Sequence, residues 1–178
     1  MKKIISILLI FTLITGCGEK LNNKPTKQVE KFFMNYQTLS KDVIEDLNNT
    51  LAREDKMTDE QKEKYKKIIK NHYKNLTYEI KDEEINGNQA TVKVEVEVYD
   101  YSKIKKNIEE YYKENQKEFL DENNNIDQKK YIDYKLEELS KAKEKIKYTI
   151  DMKLTKVNDE WKLNSLSDID EEKILGIY

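Results

Sequence analysis

Apolar and polar residues recur along this chain with two different periods, and the places where the period changes divide it into elements. Val29, Phe32, Phe33, Tyr36, Leu39, Val43, Leu47 and Leu51 follow one another at three- and four-residue steps, one stripe of an amphipathic helix. Pro25-Thr26 marks its start. Thr58 opens a second helix, with Gln61 three residues on as in a capping box. Its stripe is Tyr65, Ile68, Ile69, His72 and Tyr73.

The period then shortens to two. Leu76, Tyr78 and Ile80 alternate with polar residues, and Asn86-Gly87 supplies a hairpin signal because both residues tolerate positive φ. Ala90, Val92, Val94, Val96 and Val98 fall on one face of the next strand, and Thr91, Lys93, Glu95, Glu97 and Tyr99 on the other. A one-residue slip would bury lysine and glutamate, so this register is strongly specified. Helical spacing returns over 102–120 and again over 127–145, separated by an Asp121–Asn125 loop. Tyr148, Ile150, Met152 and Leu154 alternate, Asn158-Asp159 turns, and Trp161, Leu163 and Leu166 follow. The tail from Asp168 to Tyr178 reads as a short helix or as a loose segment on the sheet. Helices followed by antiparallel strands predict an α+β fold: N-terminal helices on a curved sheet of about four strands, with a helix pair inserted between two hairpins at about 102–145.

The N-terminus has a different character. Met1-Lys2-Lys3 precedes IISILLIFTLI (Ile4–Ile14), the charged and apolar parts of a secretory leader. Eleven residues are too few to span a hydrocarbon core about 30 Å thick. The run ends in Leu13-Ile14-Thr15-Gly16-Cys17, which holds the one cysteine of the chain and resembles the lipobox of bacterial lipoproteins. That resemblance implies cleavage before Cys17, a diacylglycerol on its sulfur, and two or three acyl chains as a stable membrane anchor. It divides the chain into a leader over 1–16, a lipid-anchored tether over 17–24 and one domain over 25–178. An acylated Cys17 leaves no thiol for disulfide, nucleophilic or metal chemistry.

Composition narrows the function classes. Of 178 residues, 38% are charged, and the formal net charge of −2 becomes about −4 once Lys2 and Lys3 leave with the leader. That balance argues against a nucleic-acid partner, which calls for a basic domain or stripe. All basic residues but Arg53 are lysine. Arginine is the residue of bidentate phosphate or carboxylate grip, so such a site could use Arg53 alone.

Two strand motifs carry a resemblance. Gly87–Val94 (GNQATVKV) and Lys156–Leu163 (KVNDEWKL) resemble the G-x-x-A-x-V-x-V and K-x-x-x-x-W-K-[IL] strands of nuclear-transport-factor-2-like, or cystatin-like, bacterial lipoproteins of unknown function. Over about Pro25 to Leu166, the resemblance implies helices cradling a curved antiparallel sheet. Enzymes of that fold type use an Asp–His or Asp–Arg pair in the cone of the sheet, which His72 and Arg53 alone could supply here.

Candidate chemistry is sparse. His72 sits between Ile69 and Tyr73 on a helix stripe, a position for packing rather than for a catalytic base. Phe32, Tyr36, Tyr78, Tyr148 and Trp161 read as core, while Tyr111 and Tyr112 could present a surface groove. The acidic stretch from Asp121 to Asp127 has oxygens but lacks the glycine of a calcium loop. No phosphate loop, serine elbow or zinc spacing is present. The sequence therefore predicts no catalytic residues, no metal, no cofactor and one modification, lipidation of Cys17, with the ligand-binding residues open. The leading expectation is a non-enzymatic lipoprotein on the extracytoplasmic face of a bacterial membrane, binding a small ligand or an envelope protein. The alternatives are a small enzyme using tyrosines and carboxylates in the cone, and an assembly factor acting through the helix pair.

Overall fold

A computed structural model describes residues 23–178. Helices α1 (Pro25–Gln37), α2 (Lys41–Ala52) and α3 (Asp59–Asn75) precede strands β1 (Thr77–Asn86) and β2 (Gln89–Tyr99). Next come α4 (Tyr101–Glu114), a 3₁₀ turn at Gln116–Phe119 and α5 (Gln128–Ser140). Strands β3 (Lys145–Val157) and β4 (Glu160–Leu163) and helix α6 (Asp168–Ile174) complete the order. The fold is α+β: an open antiparallel sheet in the order β1-β2-β3-β4, with helices on one face and the helix pair between the two hairpins. Among the described residues no helix is long and apolar enough to cross a membrane.

The alternating run on β2 sets the sheet. It pairs with β3 from Gln89↔Thr155 to Tyr99↔Lys145 without a shift, so Ala90, Val92 and Val94 stand opposite Leu154, Met152 and Ile150. All six are buried, and α1 covers them with Val29 and Phe33, both fully enclosed. Phe33 also stacks on Tyr78 of β1 at 4.6 Å. The covered sheet face is thus filled with side chains and leaves no open cone. The other face is solvated and charged. There Glu95 takes Lys147 at 2.9 Å and Lys81 at 3.7 Å, while Glu97 takes Lys145 at 3.8 Å.

Both hairpin turns have the expected chemistry, with one correction. Asn86 pairs with Gln89, so the central turn residues are Gly87-Asn88 and not Asn86-Gly87, and φ is positive at Gly87 (+59°) but not at Asn88. Glycine first is the pattern of a type II′ turn. Asn158 and Asp159 both have positive φ, as a type I′ turn requires.

The long N-terminal stripe does not form one helix. It breaks at Thr38-Leu39-Ser40 in a Schellman motif, with Leu39 left-handed at φ +54° where glycine is usual. The Ser40 N–H donates to the Asn35 carbonyl and the Leu39 N–H to that of Tyr36. Ser40 then caps α2. The expected α4 and α5 are likewise shorter than their apolar spacing. Phe119 sits on a 3₁₀ turn and is enclosed by tyrosines, and β3 claims the chain from Lys145.

The C-terminal segment is docked. Gly176 (φ +67°) ends α6 in a second Schellman motif, and its carbonyl accepts from the Ser102 N–H at 2.8 Å. A Cβ at Gly176 would lie 2.0 Å from the Tyr99 carbonyl oxygen, whereas one at Gly87 would meet nothing within 4 Å. Both positions are left-handed, where an L-residue costs roughly 1–2 kcal/mol, so the two substitutions separate strain from steric overlap. In urea denaturation, Gly87→Ala should lose about 1 kcal/mol. Gly176→Ala should lose about 3 kcal/mol or more, with early proteolysis confined to the chain after Leu166.

Candidate functional site

The break at Leu39 decides what α2 can bury. Turned away from α1, α2 lays Val43, Leu47 and Leu51 on Ile69 and Tyr73 of α3, and these form a second apolar cluster beside the one beneath the sheet. An open cleft of about 990 Å³ lies between α1, α2 and α3 on one side and the segment from Leu163 through α6 on the other. Val43, Leu47, Ile69 and Leu175 line its apolar part.

Four aromatic rings form the wall. Phe32 lies 5.0 Å from Tyr36, and Tyr36 meets Tyr73 edge-on at 4.8 Å, with Tyr65 lining the cleft farther along α3. The structure gives no hydrogen-bond partner to the hydroxyls of Tyr36, Tyr65 or Tyr73, and none of these oxygens is sealed from solvent. Burial raises all three above the ordinary phenol value. At Tyr36, Asp46 and Glu171 add to the rise. These phenols therefore stay protonated near neutrality and act as aromatic faces and donors rather than as bases.

Carboxylates rim the cleft: Asp42, Glu45 and Asp46 from α2, and Glu171 from α6. None of the four has a side-chain hydrogen bond or an ion pair. No lysine, arginine or histidine lines the cleft.

The residues singled out by the sequence are dispersed. Trp161 is buried under the sheet, with Tyr78 and Tyr148 packed against the same core, while Phe32 and Tyr36 stand at the cleft wall. Tyr111 and Tyr112 lie on the helix pair, away from the cleft. They stack with Tyr131 and Tyr134 around the buried Phe119, with Tyr111 left on the surface and its hydroxyl donating to Glu118 at 2.9 Å. Asp121 turns its carboxylate onto the N–H groups of Asn123 and Asn125 in its own loop, at 2.8 and 2.9 Å. Arg53 ends α2 in solvent. Cys17, the leader and most of the tether lie outside the described residues. Sequence reasoning missed Glu171 and Leu163–Leu166 as part of a site because nothing local places either the last strand's exit or the tail opposite α2. Ser167 ahead of Asp170 was the available signal, since its hydroxyl caps α6.

His72 is fully enclosed and out of reach of any solute. Its Nε2–H donates to the Ile174 carbonyl at 2.8 Å, which leaves Nδ1 bare, buried and without a partner. Tyr101 stacks on the ring at 5.0 Å, and the rings of Tyr73 and Tyr99 lie at 5.9 and 6.1 Å. Burial pushes the imidazole below its ordinary value of 6.5. Lys145 pushes the same way and the Ile174 carbonyl opposes them.

Comparison with known proteins adds one distant likeness. No protein-family model matches the chain, and no curated protein matches it. Among solved structures, the chain is similar to a candidate lipoprotein, ycdA, of Bacillus subtilis, with 18% identity and a TM-score of 0.43. The likeness covers 83% of this chain and 46% of that one, so this chain spans about half the length of its neighbour. A likeness at that level assigns neither a family nor a function.

The buried imidazole makes stability depend on pH. The unfolded chain takes a proton at His72 near 6.5 and the folded chain resists it, so stability holds above that value and is lost as pH falls below it. Thermal unfolding should give a flat Tm from pH 8 to 7 and a falling one from pH 6.5 to 5. His72→Gln, which keeps a donor for Ile174 but does not titrate, should lose this slope whatever its absolute Tm.

Proposed function

We propose that this chain is a bacterial lipoprotein of the cell envelope, held through a diacylglycerol on Cys17, whose folded part is a non-enzymatic binding module. The observation that carries the binding role is the open cleft of about 990 Å³, with aromatic and apolar walls and hydroxyl donors left free. Clefts of that size and lining suit small organic ligands. The raised phenols and the enclosed histidine favour binding over acid–base catalysis.

In this reading residues 1–16 are the leader, 17–24 the tether and 25–178 the module, of nuclear-transport-factor-2-like kind. The helices ahead of a four-stranded antiparallel meander support the last point. Asn23 is fastened to the β3–β4 hairpin: its amide donates to the Asp159 carbonyl, and its side-chain oxygen accepts the Trp161 N–H at 3.0 Å. Five residues separate Cys17 from Asn23, a reach of about 20 Å at most. The hairpin end of the module therefore rides close to the lipid surface.

Two measurements test this reading. Mass spectrometry of the wild-type protein should find Cys17 as the N-terminal residue carrying a diacylglyceryl group. Cys17→Ser should carry no lipid, and an unmodified chain still beginning at Met1 would overturn the anchor. In a thermal-shift panel of small organic molecules, binders should raise the wild-type Tm, and Val43→Trp, which fills the cleft, should remove the rise. Turnover of a panel molecule would overturn the non-enzymatic role.

A further inference from the structure

We propose that the cleft takes an organic cation: an ammonium group on an apolar body of small-molecule size. This assignment rests on the binding-module reading and narrows it to one ligand class.

Lysine supplies the cation of the ion pairs on the described surface, as at Lys103–Glu144 (2.6 Å) and Lys141–Glu137 (2.9 Å). At the cleft rim Asp42, Glu45, Asp46 and Glu171 form no ion pair, and no lysine is among the lining residues, so the lining carries net negative charge. A second surface depression, at the hairpin end, mixes Lys27, Lys31 and Lys156 with Glu30, Glu83 and Asp159 and has no such bias.

Charge from two sides converges on the aromatic wall. Asp46 of α2 and Glu171 of α6 both act on the Tyr36 hydroxyl, so a cation beside that ring faces carboxylates from opposite walls. The faces and edges of Phe32, Tyr36, Tyr65 and Tyr73 suit it further, because an ammonium is attracted to the negative face of a ring. Val43, Leu47, Ile69 and Leu175 give an apolar body somewhere to go. Among the described residues no group of three or more acidic, histidine or cysteine side chains is placed to hold a metal ion, which favours an organic cation over an inorganic one. An anion would meet the rim carboxylates with no counter-charge.

The test compares three probes of like shape, 4-phenylbutylammonium, 4-phenylbutanol and 5-phenylvalerate, by calorimetry on the full chain in a non-ionic detergent. The ammonium should bind about tenfold tighter than the alcohol, and the carboxylate should not bind. Raising salt from 50 to 500 mM should weaken the ammonium and leave the alcohol unchanged. Asp46→Asn with Glu171→Gln, both on exposed and unpaired side chains, should erase the tenfold preference while the alcohol still binds. Tyr36→Leu should weaken the ammonium about fivefold.

Equal affinity for ammonium and alcohol, or a preference for the carboxylate, would overturn the cation assignment and leave the binding module standing. A lysine-rich peptide that binds where the ammonium does not would overturn the small-molecule assignment. No binding by any of the three probes overturns the cation assignment as well, and the thermal-shift panel then decides the wider reading.

Discussion

Ala90, Val92, Val94, Val96 and Val98 of β2 lie on the same side of the sheet as Ile150, Met152 and Leu154 of β3, and that strip has to be kept from water. Each of its valine, isoleucine, leucine and methionine side chains, fully buried, contributes about 1.5–3 kcal/mol, more than an exposed ion pair on the opposite face, which is worth roughly 0–1 kcal/mol. The strip therefore dictates what packs where. Helix α1 takes it with Val29 and Phe33, and Ile174 joins from the C-terminal helix. With the sheet face occupied, α2 lays its apolar residues on α3, beside Tyr36 of α1 and Leu175. The cleft is the space left between that helical layer and the chain running from β4 into α6.

The C-terminal segment turns this arrangement into a walled site. Three contacts hold it to three different elements: the His72 ring to the Ile174 carbonyl, the Ser102 N–H to that of Gly176, and the Tyr148 hydroxyl to that of Tyr178. Lys173 adds a fourth, to the Thr149 carbonyl at 3.2 Å. The position of Glu171 at the rim follows from these contacts. A protonated His72 would bring charge into the one place where α3, β2 and α6 meet, which is why its neutrality matters to more than its own hydrogen bond.

Polar side chains do double duty elsewhere. Gln61 accepts the Thr58 N–H at 3.0 Å, and its own amide nitrogen donates to the Lys129 carbonyl and to Asp133 at 3.1 and 2.9 Å. One side chain thus starts α3 and fastens α5 to it. Likewise Glu83 of β1 accepts the Thr26 N–H at 2.8 Å and its hydroxyl, so a strand residue caps α1 where Lys24 provides no cap. Such groups explain how a chain of 38% charge and mean hydropathy −0.93 still specifies its packing.

The local code was enough for the strands, the face each presents on β2 and β3, the place of both turns and the central residues of the second, the capping box at Thr58 and the insertion of a helix pair. Each rests on neighbours within a few residues, where alternation, φ preference and capping act directly. The break at Leu39 was not legible, because no glycine or proline marks it and the apolar stripe runs through. The ends of α4 and α5 were misplaced because Phe119 and Ala142 fit a helical period as well as the positions that packing gave them. The candidate site was hidden for a stronger reason. Tyr36, Asp46, Tyr73 and Glu171 are up to 135 positions apart, and nothing in their immediate surroundings sets them apart from dozens of similar residues. They come together only when the sheet has claimed α1 and the tail has docked, and those are long-range burial events that no window of sequence contains. What the sequence determined alone was the leader-like start ending at Cys17 and the inventory of chemistry available. Tertiary structure decided which carboxylates would be left without a lysine, because that depends on which surfaces the packing of the core forces to face one another.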